Sequence, residues 1–517
     1  SAHLTLFFFL FSPSGDIDYC RQCFPCFRYS ASIMSFTRLQ YDSLKTVLQY
    51  MEANKRFCLS KSIPEIYFAE KAVPLRIRYI DFGDLGFRVN KTTYSLSIYR
   101  DFHQGEKILD PFQKENNDGS LVDDLDQYGF RVPFNRTDVA PGEVVFDDLN
   151  DVNNHFMPSP PTFPWASEQG NERLRRFYER HLEIYQIALA RRSEGGQGFP
   201  FPMMTIVFTY DELLAMRGRI IQELTPEALE LKLAALNQMS TCTLKTFIAK
   251  LRYCLQPFDC RQNNKALPFT PLIQLTIKSE DGQEKRIERY PYTFKLHEAM
   301  RKLCGKLFGG RKSIVQVHKF SLNNINMVFR IPEGFNIRVR NLRLGETRIK
   351  RLEALKNLIH ESSYPLASLI IHGRGYEVDH FAHSALTSAR QLILEGAFPG
   401  DITYLLNLKN TIVCCKYSWS RELSNEELLA FAENIVTTVF PIGTYRSFKI
   451  SQEGRIKNLL NQVRERFNGR TKQSSISIAM GNDSKLKIFY KTDPSRQEPK
   501  KWLVIMNVVP DRQNASH

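Results

Sequence analysis

The run LASLIIH at residues 366–372 is the first of three that set the fold of the C-terminal half, followed by ARQLIL at 389–394 and NTIVCCKY at 410–417. Each run is short and apolar, which is typical of a buried strand. Segments with helical spacing separate further runs of this kind, and a spacing of about 20 to 35 residues is that of a strand-plus-helix repeat. We therefore predict a leucine-rich-repeat-like interaction domain over residues 271–517.

Stacked units of this kind bury one face of each strand, because a single strand and helix are too small to hide their own apolar residues. We expect six side chains to form that buried face: Leu369, Ile371, Leu392, Leu394, Ile412 and Cys414. A closed globular sheet is the alternative architecture, and strands that pair antiparallel in a sandwich would exclude the repeat.

Upstream of the repeat region, composition and periodicity divide the chain into shorter segments. Residues 171–270 have helical spacing and predict a helical segment. Residues 112–170 are rich in Asp, Asn and Pro and predict a loop or linker, whereas a period of two predicts a small β-element over 75–111. With short helices over 34–74, the predicted fold is α/β and α+β, in several domains.

The segment 34–74 carries an apolar stripe. Four residues fall at i, i+3, i+4 and i+7 and so share one face of a helix: Leu44, Val47, Leu48 and Met51. Phe57 belongs to a second short helix, which ends at Pro64. Because a helical hairpin of this size cannot bury the stripe unaided, we expect these residues to contact another protein.

Residues 1–33 have no period that matches a core. The run LTLFFFLF at 4–11 is similar to the apolar core of a signal peptide, but no basic residue precedes it and no cleavage pattern follows soon after. We expect an unstructured or wrongly assigned leader that is dispensable for folding, with a genuine signal segment as the alternative. Cys20, Cys23 and Cys26 lack the fourth ligand that a zinc site needs.

The bulk composition excludes several classes of protein. Of the 517 residues, 43% are hydrophobic and 24% are charged, which is typical of globular domains. No stretch of about 20 apolar residues would span a bilayer. The net charge of +15 is scattered without a basic block, which argues against nucleic-acid binding. Several of the ten cysteines lie on apolar faces, which favours a reducing compartment and predicts a cytoplasmic or nuclear protein.

The N-terminal helices resemble a known docking motif. The segment LQYDSLKTVLQYM at 39–51, followed by RFCL at 56–59, is similar to an F-box, the helical motif that binds the Skp adaptor of a cullin ubiquitin ligase. The resemblance implies that a Skp-type adaptor contacts the apolar stripe, formed by Leu44, Val47, Leu48, Met51 and Phe57. Because Gln40 stands where the family prefers Pro, a non-catalytic scaffold with a decayed F-box remains the alternative.

Further stretches are similar to proteins of the expanded Caenorhabditis F-box C group. They are AEKAVPLRI at 69–77, NKTTYSL at 90–96, YGF at 128–130, LHEAM at 296–300 and LFGGR at 307–311. This resemblance implies a substrate adaptor of a cullin-type ubiquitin ligase, whose target protein is not identified by the sequence.

Two motifs imitate the sites of enzymes. GKLFGGRKS at 305–313 is close to a phosphate-binding loop, but Arg311 takes the place of the required Lys and the loop runs from a helix towards a strand. Its Gly pair is typical of a helix C-cap. Asp379, His380 and His383 offer two imidazoles without a convincing third ligand, so we expect a solvated or capping role. We predict no catalytic residue, metal or cofactor, and keep a nucleotide- or phosphate-handling enzyme as an alternative.

Overall fold

The computed structural model describes residues 41–106, 108, 110–132, 138–146, 168–191, 226–282, 285–324, 328–345, 349–373, 381–396, 402–416, 422–472, 474–481, 483–493 and 501–511. The predicted leader and its three cysteines lie outside these residues. The chain divides into two units. The first comprises residues 1–93, 139–147 and 303–517, and the second comprises residues 94–138 and 148–302.

The described residues contain thirteen α-helices and a large mixed sheet, which confirms the mixed α/β class predicted from the sequence. The helices are α1 Tyr41–Tyr50, α2 Ala53–Ser62, α3 Tyr67–Ala72, α4 Asp110–Asn117, α5 Glu168–Ala190, α6 Pro226–Asn237, α7 Thr241–Gln262, α8 Leu296–Phe308, α9 Ile349–Ala354, α10 Ser384–Ser388, α11 Thr403–Leu406, α12 Asn425–Thr437 and α13 Glu453–Phe467. None of these helices is long and apolar enough to span a membrane.

The strands are β1 Arg76–Gly83, β2 Gly86–Val89, β3 Thr92–Phe102, β4 Asp124–Leu125, β5 Arg131–Val132, β6 Val144–Val145, β7 Phe269–Ser279, β8 Lys285–Pro291, β9 Val315–Asn324, β10 Val328–Phe329, β11 Ile337–Leu344, β12 Ser368–Gly373, β13 Gln391–Gly396, β14 Ile412–Lys416, β15 Tyr445–Ile450, β16 Arg470–Lys472, β17 Ser475–Met480, β18 Ser484–Thr492 and β19 Trp502–Pro510.

The sheet of the first unit is built around a run of parallel strands. Strands β9, β11, β12, β13, β14 and β15 lie side by side in that order, each parallel to its neighbours, and β1 lies parallel to β9 on the other side. A parallel pair needs a crossover of about a dozen residues or more, and α9, α10, α11 and α12 lie in the connections from β11 to β15. The antiparallel sandwich is thereby excluded for these strands.

One face of the parallel strands is buried, and four of the six side chains predicted for it are there: Leu369, Ile371, Leu392 and Leu394. The prediction is wrong for Ile412 and Cys414, which are only half-buried, because their neighbours Val413 and Cys415 take the buried positions. The register pairs Leu392 with Val413, so the buried row continues through Val413. All four residues of the run IVCC are apolar, which hides the alternation that distinguishes the two faces.

The strands near the C-terminus differ from the predicted alternation of strand and helix. Strand β15 pairs antiparallel with β19, and β16, β17, β18 and β19 form an antiparallel meander. Only residues 481–483 separate β17 from β18, which is too short a connection for a parallel crossover. The alternation of helices with parallel strands therefore ends at β15.

In the second unit, the helical segment predicted over 171–270 consists of α5, α6 and α7 in its described part. These helices share a core that includes Tyr185, Ala188, Leu236 and Leu244. Strands β7 and β8 form an antiparallel hairpin. The described part of 112–170, predicted as a loop or linker, contains most of α4, the first turn of α5 and three two-residue strands, of which β4 and β5 pair with each other.

Candidate functional site

The first three helices of the first unit form a small structure with its own core. Glu52 caps α2, because its side chain accepts hydrogen bonds from the backbone N–H groups of Asn54, at 2.8 Å, and Lys55, at 3.2 Å. Pro64 starts a 3-10 turn that leads into α3, so the chain continues as a third helix where the sequence predicted the end of a hairpin. Buried side chains meet in one cluster: Leu48, Ile66, Ala69 and Val73. We call residues 41–72 the three-helix unit.

The five residues predicted to bind an adaptor do not share one exposed surface. Leu48 is fully buried in the cluster beneath α3, and Leu44 and Met51 are half-buried against it. Phe57 is buried too, with its ring 5.9 Å from the ring of Phe308. Val47 alone of the five is well exposed, at 48%. Leu48 and Phe57 are covered by α3 and α8, so these two residues hold the helices in place. That the five residues contact an adaptor stays a prediction.

Other apolar side chains of the three-helix unit remain in contact with solvent. Tyr50 and Phe68 are 80% and 79% exposed, although large apolar side chains gain free energy when they leave water. We define the exposed apolar set as the five large side chains of this unit that solvent reaches: Tyr41, Val47, Tyr50, Ile63 and Phe68. Four of these five lie off the predicted stripe, so helical spacing does not predict them as interface residues. Exposed apolar side chains mark an interaction site where they form a contiguous patch.

A buried ionic cluster joins α2, α3 and the segment after α8. The carboxylate of Glu70 accepts hydrogen bonds from Nε of Arg56, at 3.1 Å, and from Arg311, at 2.8 and 2.9 Å. Arg56 also donates to the carbonyl oxygens of Glu70, Val73 and Pro74. The side chains of Arg56, Glu70 and Arg311 are each 1 to 2% exposed. Burial lowers the pKa of the Arg56 guanidinium. The hydrogen bonds offset the cost of burying these charges, although Nε of Arg311 is buried without a partner among the described residues.

Lys71 makes a second link between α3 and α8. Its Nζ donates hydrogen bonds to the carbonyl oxygens of Lys306, at 2.7 Å, and Leu307, at 2.9 Å, which lie in the last turn of α8, where carbonyl groups lack partners within the helix. Burial, together with the nearby charge of Arg311, lowers the pKa of Lys71 to about 7. The three-helix unit is thus fixed to α8 by charged groups that water does not reach.

The loop that imitates a phosphate site has a structural role. Gly310 adopts the left-handed conformation, with φ of +69°, and the N–H of Gly309 donates to the carbonyl oxygen of Gly305 at 2.9 Å. These features confirm the predicted helix C-cap. Arg311 points at Glu70 and leaves no guanidinium group facing solvent, so the residue at the position of the phosphate-binding lysine is not free to bind a phosphate. The neighbouring Lys312 is exposed.

His383, one of the residues weighed as a metal ligand, caps a helix. Its Nδ1 accepts a hydrogen bond from the N–H of Ala385 at the start of α10, and its Nε2 lies 2.8 Å from a carboxylate oxygen of Glu353. This confirms the capping role expected for it. Asp379 and His380 lie outside the described residues.

A second group of possible metal ligands lies in the second unit. Asp138, His297 and Glu298 offer ligand atoms within 4.8 Å of one another. Asp138 already accepts a hydrogen bond from Nε2 of His297, at 3.0 Å, and faces the guanidinium of Arg301 at 3.4 Å. The hydrogen bond from His297 lowers the pKa of Asp138. Because Arg301 supplies the positive charge that a cation would bring, we interpret this group as an ion-pair network.

The second face of the parallel strands is mostly polar. Eight side chains that alternate with the buried row are half-buried: Asn341, Arg343, Gln391, Glu395, Ile412, Cys414, Tyr445 and Lys449. Ile393 and Ser447 on the same face are buried. An ion pair of 3.0 Å joins Arg343 on β11 to Glu395 on β13, across the intervening strand β12. We call this surface the open face. Stacked strand-and-helix arrays use such surfaces to bind partners.

Comparison with known proteins finds one family model that matches part of the chain. A family described as a domain of unknown function (DUF3557) matches residues 295–452, from α8 to the end of β15. This region contains all the parallel strands except β1 and includes Arg311 of the ionic cluster. No curated protein and no solved structure matches the chain.

Proposed function

We propose that this protein is a substrate adaptor of the F-box type, in which the three-helix unit docks on a Skp-type adaptor of a cullin ubiquitin ligase. The observation that carries the proposal is the exposed apolar set on helices that already have a core of their own. Tyr50 and Phe68 expose most of their surface to water, although Phe68 contacts the ring of Tyr67. Aromatic side chains are enriched at the centres of protein interfaces.

The ionic contact that attaches the three-helix unit to the segment after α8 supports the same function. A substrate adaptor has to hold its target at a fixed position relative to the partner on which it docks. The cluster of Arg56, Glu70 and Arg311 restricts the three-helix unit to one orientation, because any rotation would leave a buried charge without its partner. The proposed docking surface and the parallel strands therefore behave as one rigid part.

The parallel strands provide the proposed surface for a target. In this proposal they act as a leucine-rich-repeat-like array whose open face recruits a protein for ubiquitin transfer, in the cytoplasm or the nucleus. The proposed role needs no catalytic residue, since burial and shape supply the binding energy. The phosphate-handling alternative loses one of its candidate cations, because Arg311 is occupied by Glu70.

A scaffold with a decayed F-box is the second candidate, and one observation favours it. Leu48 and Phe57, which the resemblance assigns to an adaptor interface, are used inside the chain. Co-expression of the full chain with a Skp-type adaptor separates the two candidates. If the substrate-adaptor proposal holds, the two proteins elute as one complex from a size-exclusion column; if the protein is a scaffold, they elute apart.

A further inference from the structure

A wide groove lies where the parallel strands of the first unit begin. It has a volume of about 1120 Å³. Its floor is formed by the first residues of β1, β9 and β11, and its walls by the α1–α2 turn, the β2–β3 turn and the chain before β12. Six basic side chains line it: Arg76, Arg78, Lys91, His318, Arg338 and Arg340. We call it the basic groove.

The arginines of the basic groove stand in two rows. Arg76 on β1 and Arg338 on β11 both pair with Gln316 on the central strand β9. Arg78 and Arg340 follow two residues later, and in each strand a buried residue separates the two exposed arginines, so both arginines of a strand share a face. The rows are about 10 Å apart, which is twice the strand spacing, and arginines within a row are about 7 Å apart.

The positive charge of the groove is only partly offset by the described residues. Glu52 is the one carboxylate among the described lining residues, and it is occupied by capping α2 and by hydrogen bonds from the side chains of Asn54 and Asn90. Within the described ranges, none of the five Arg and Lys side chains of the groove has an ion-pair partner. Five like charges in one concave surface repel each other and favour a ligand of opposite charge.

We propose that the basic groove binds an extended acidic segment of a partner protein, with consecutive Asp or Glu residues. An extended chain directs successive side chains to opposite sides and repeats on each side after about 7 Å. A segment lying along β9 would therefore direct alternate carboxylates to the β1 row and to the β11 row. Guanidinium groups bind carboxylates through two parallel hydrogen bonds, so the arginine spacing selects both the charge and the extended conformation of the ligand.

Single-stranded nucleic acid is the other polyanion that such a groove has to be tested against. Sites of that class combine a basic groove with several aromatic side chains on which bases stack. Tyr50 is the one aromatic residue among the described lining residues. The peptide is therefore the better match. The proposal that the basic groove binds the target of the ligase rests on the proposed function. The binding of an acidic peptide itself needs no Skp-type adaptor.

The test uses the full chain and a fluorescent peptide of six consecutive Glu residues between Gly-Ser flanks, with fluorescence anisotropy as the readout. We expect the parent to bind this peptide at least about tenfold more tightly than the same peptide with Gln in place of Glu. We expect Arg78→Gln with Arg340→Gln to weaken binding by at least about tenfold. A control with the same loss of charge is Lys409→Gln with Lys491→Gln, two exposed lysines outside the groove, which should change affinity less than about twofold.

A second pair, Arg76→Gln with Arg338→Gln, replaces the first if the melting temperature of the first variant falls below that of the parent. Equal affinity of the parent for the Glu and Gln peptides, or equal weakening by the control pair, would overturn the proposal. A single-stranded oligonucleotide that binds more tightly than the peptide and displaces it would overturn it too. Because no Skp-type adaptor is present, each of these outcomes is independent of whether the three-helix unit docks on one.

Discussion

Arg311 directs one guanidinium nitrogen at both carboxylate oxygens of Glu70, at 2.8 and 2.9 Å. The two residues are 241 positions apart in the chain, and their contact holds α3 against the end of α8. Arg311 belongs to the loop whose sequence is close to a phosphate-binding motif. It is the residue that departs from that motif, and it stabilises the fold through its contact with Glu70. The contact also ties the three-helix unit to the region that matches the domain of unknown function.

The first prediction concerns this contact. Glu70→Gln leaves Arg56 and Arg311 buried without a compensating charge, and breaking a buried ion pair costs about 3 kcal/mol or more. We expect the free energy of unfolding of the first unit, measured by urea denaturation, to fall by about that amount. Glu433→Gln breaks the exposed pair with Arg466 and should cost less than about 1 kcal/mol. Similar losses for both variants would show that the cluster does not hold the unit together.

The second prediction follows from the pKa of Lys71, which is about 7 in the folded protein and about 10.4 in an unfolded chain. Between these values the unfolded chain binds more protons, so the contribution of Lys71 to the free energy of unfolding increases from pH 7 to pH 9. We expect Lys71→Met to reduce this increase, whereas Lys409→Met, at an exposed position, should leave it unchanged. Urea denaturation at both pH values measures the increase in the free energy of unfolding. Parallel pH profiles for the parent and Lys71→Met would contradict the prediction.

The third prediction concerns the helices of the second unit. Burial, together with the charge of Lys232, lowers the pKa of His181 to about 4, below the value of about 6.5 in an unfolded chain. The unfolded chain therefore takes up a proton first as the pH falls, and the stability of α5, α6 and α7 decreases from pH 6.5 towards pH 4. His181→Gln should weaken this dependence, as measured by hydrogen exchange of α5 at pH 6.5 and 5. His103→Gln, at an exposed position, is the control and should match the parent.

The fourth prediction tests the register of β14. Val413→Ala removes two methyl groups from the buried row and should cost about 2 kcal/mol. Ile412→Ala removes more carbon atoms, but from the half-buried open face, so we expect it to cost about 1 kcal/mol or less. The comparison is made by urea denaturation of both variants. A larger loss for Ile412→Ala than for Val413→Ala would mean that the faces are reversed.

The parallel strands could be predicted from the sequence because strands buried in such sheets are continuous apolar runs. The run LASLIIH still shows which residues face inward, since Ser368 interrupts it one position before Leu369. The run IVCC does not show which residues face inward, because all four are apolar and a shift by one residue leaves the pattern unchanged. The sequence therefore places Ile412 on the wrong face. Helix α3 was missed for a different reason. In the sequence, Pro64 predicts the end of the helices, whereas in the structure it begins the turn from which α3 continues.

The basic groove could not be predicted from the sequence because its two rows are distant along the chain. Arg76 and Arg78 alternate with an apolar residue, as do Arg338 and Arg340, and each pair alone is typical of the solvated side of a strand. Only the pairing of β1 and β11 with β9 brings them together. The ionic cluster was missed likewise, because nothing in the loop around Arg311 indicates a partner as distant as Glu70.

The affinity of the full chain for a Skp-type adaptor tests the central claim most directly, with variants in the exposed apolar set. Leu48 is unsuitable as an interface variant, because its truncation would open the core of the three-helix unit. We expect Val47→Ser with Tyr50→Ser to weaken adaptor binding by at least about tenfold while the melting temperature stays that of the parent. Ile442→Ser, an exposed apolar residue of the same unit of the chain, should leave the affinity unchanged. An unchanged affinity for the double variant, or no binding by the parent, would contradict the proposed docking surface.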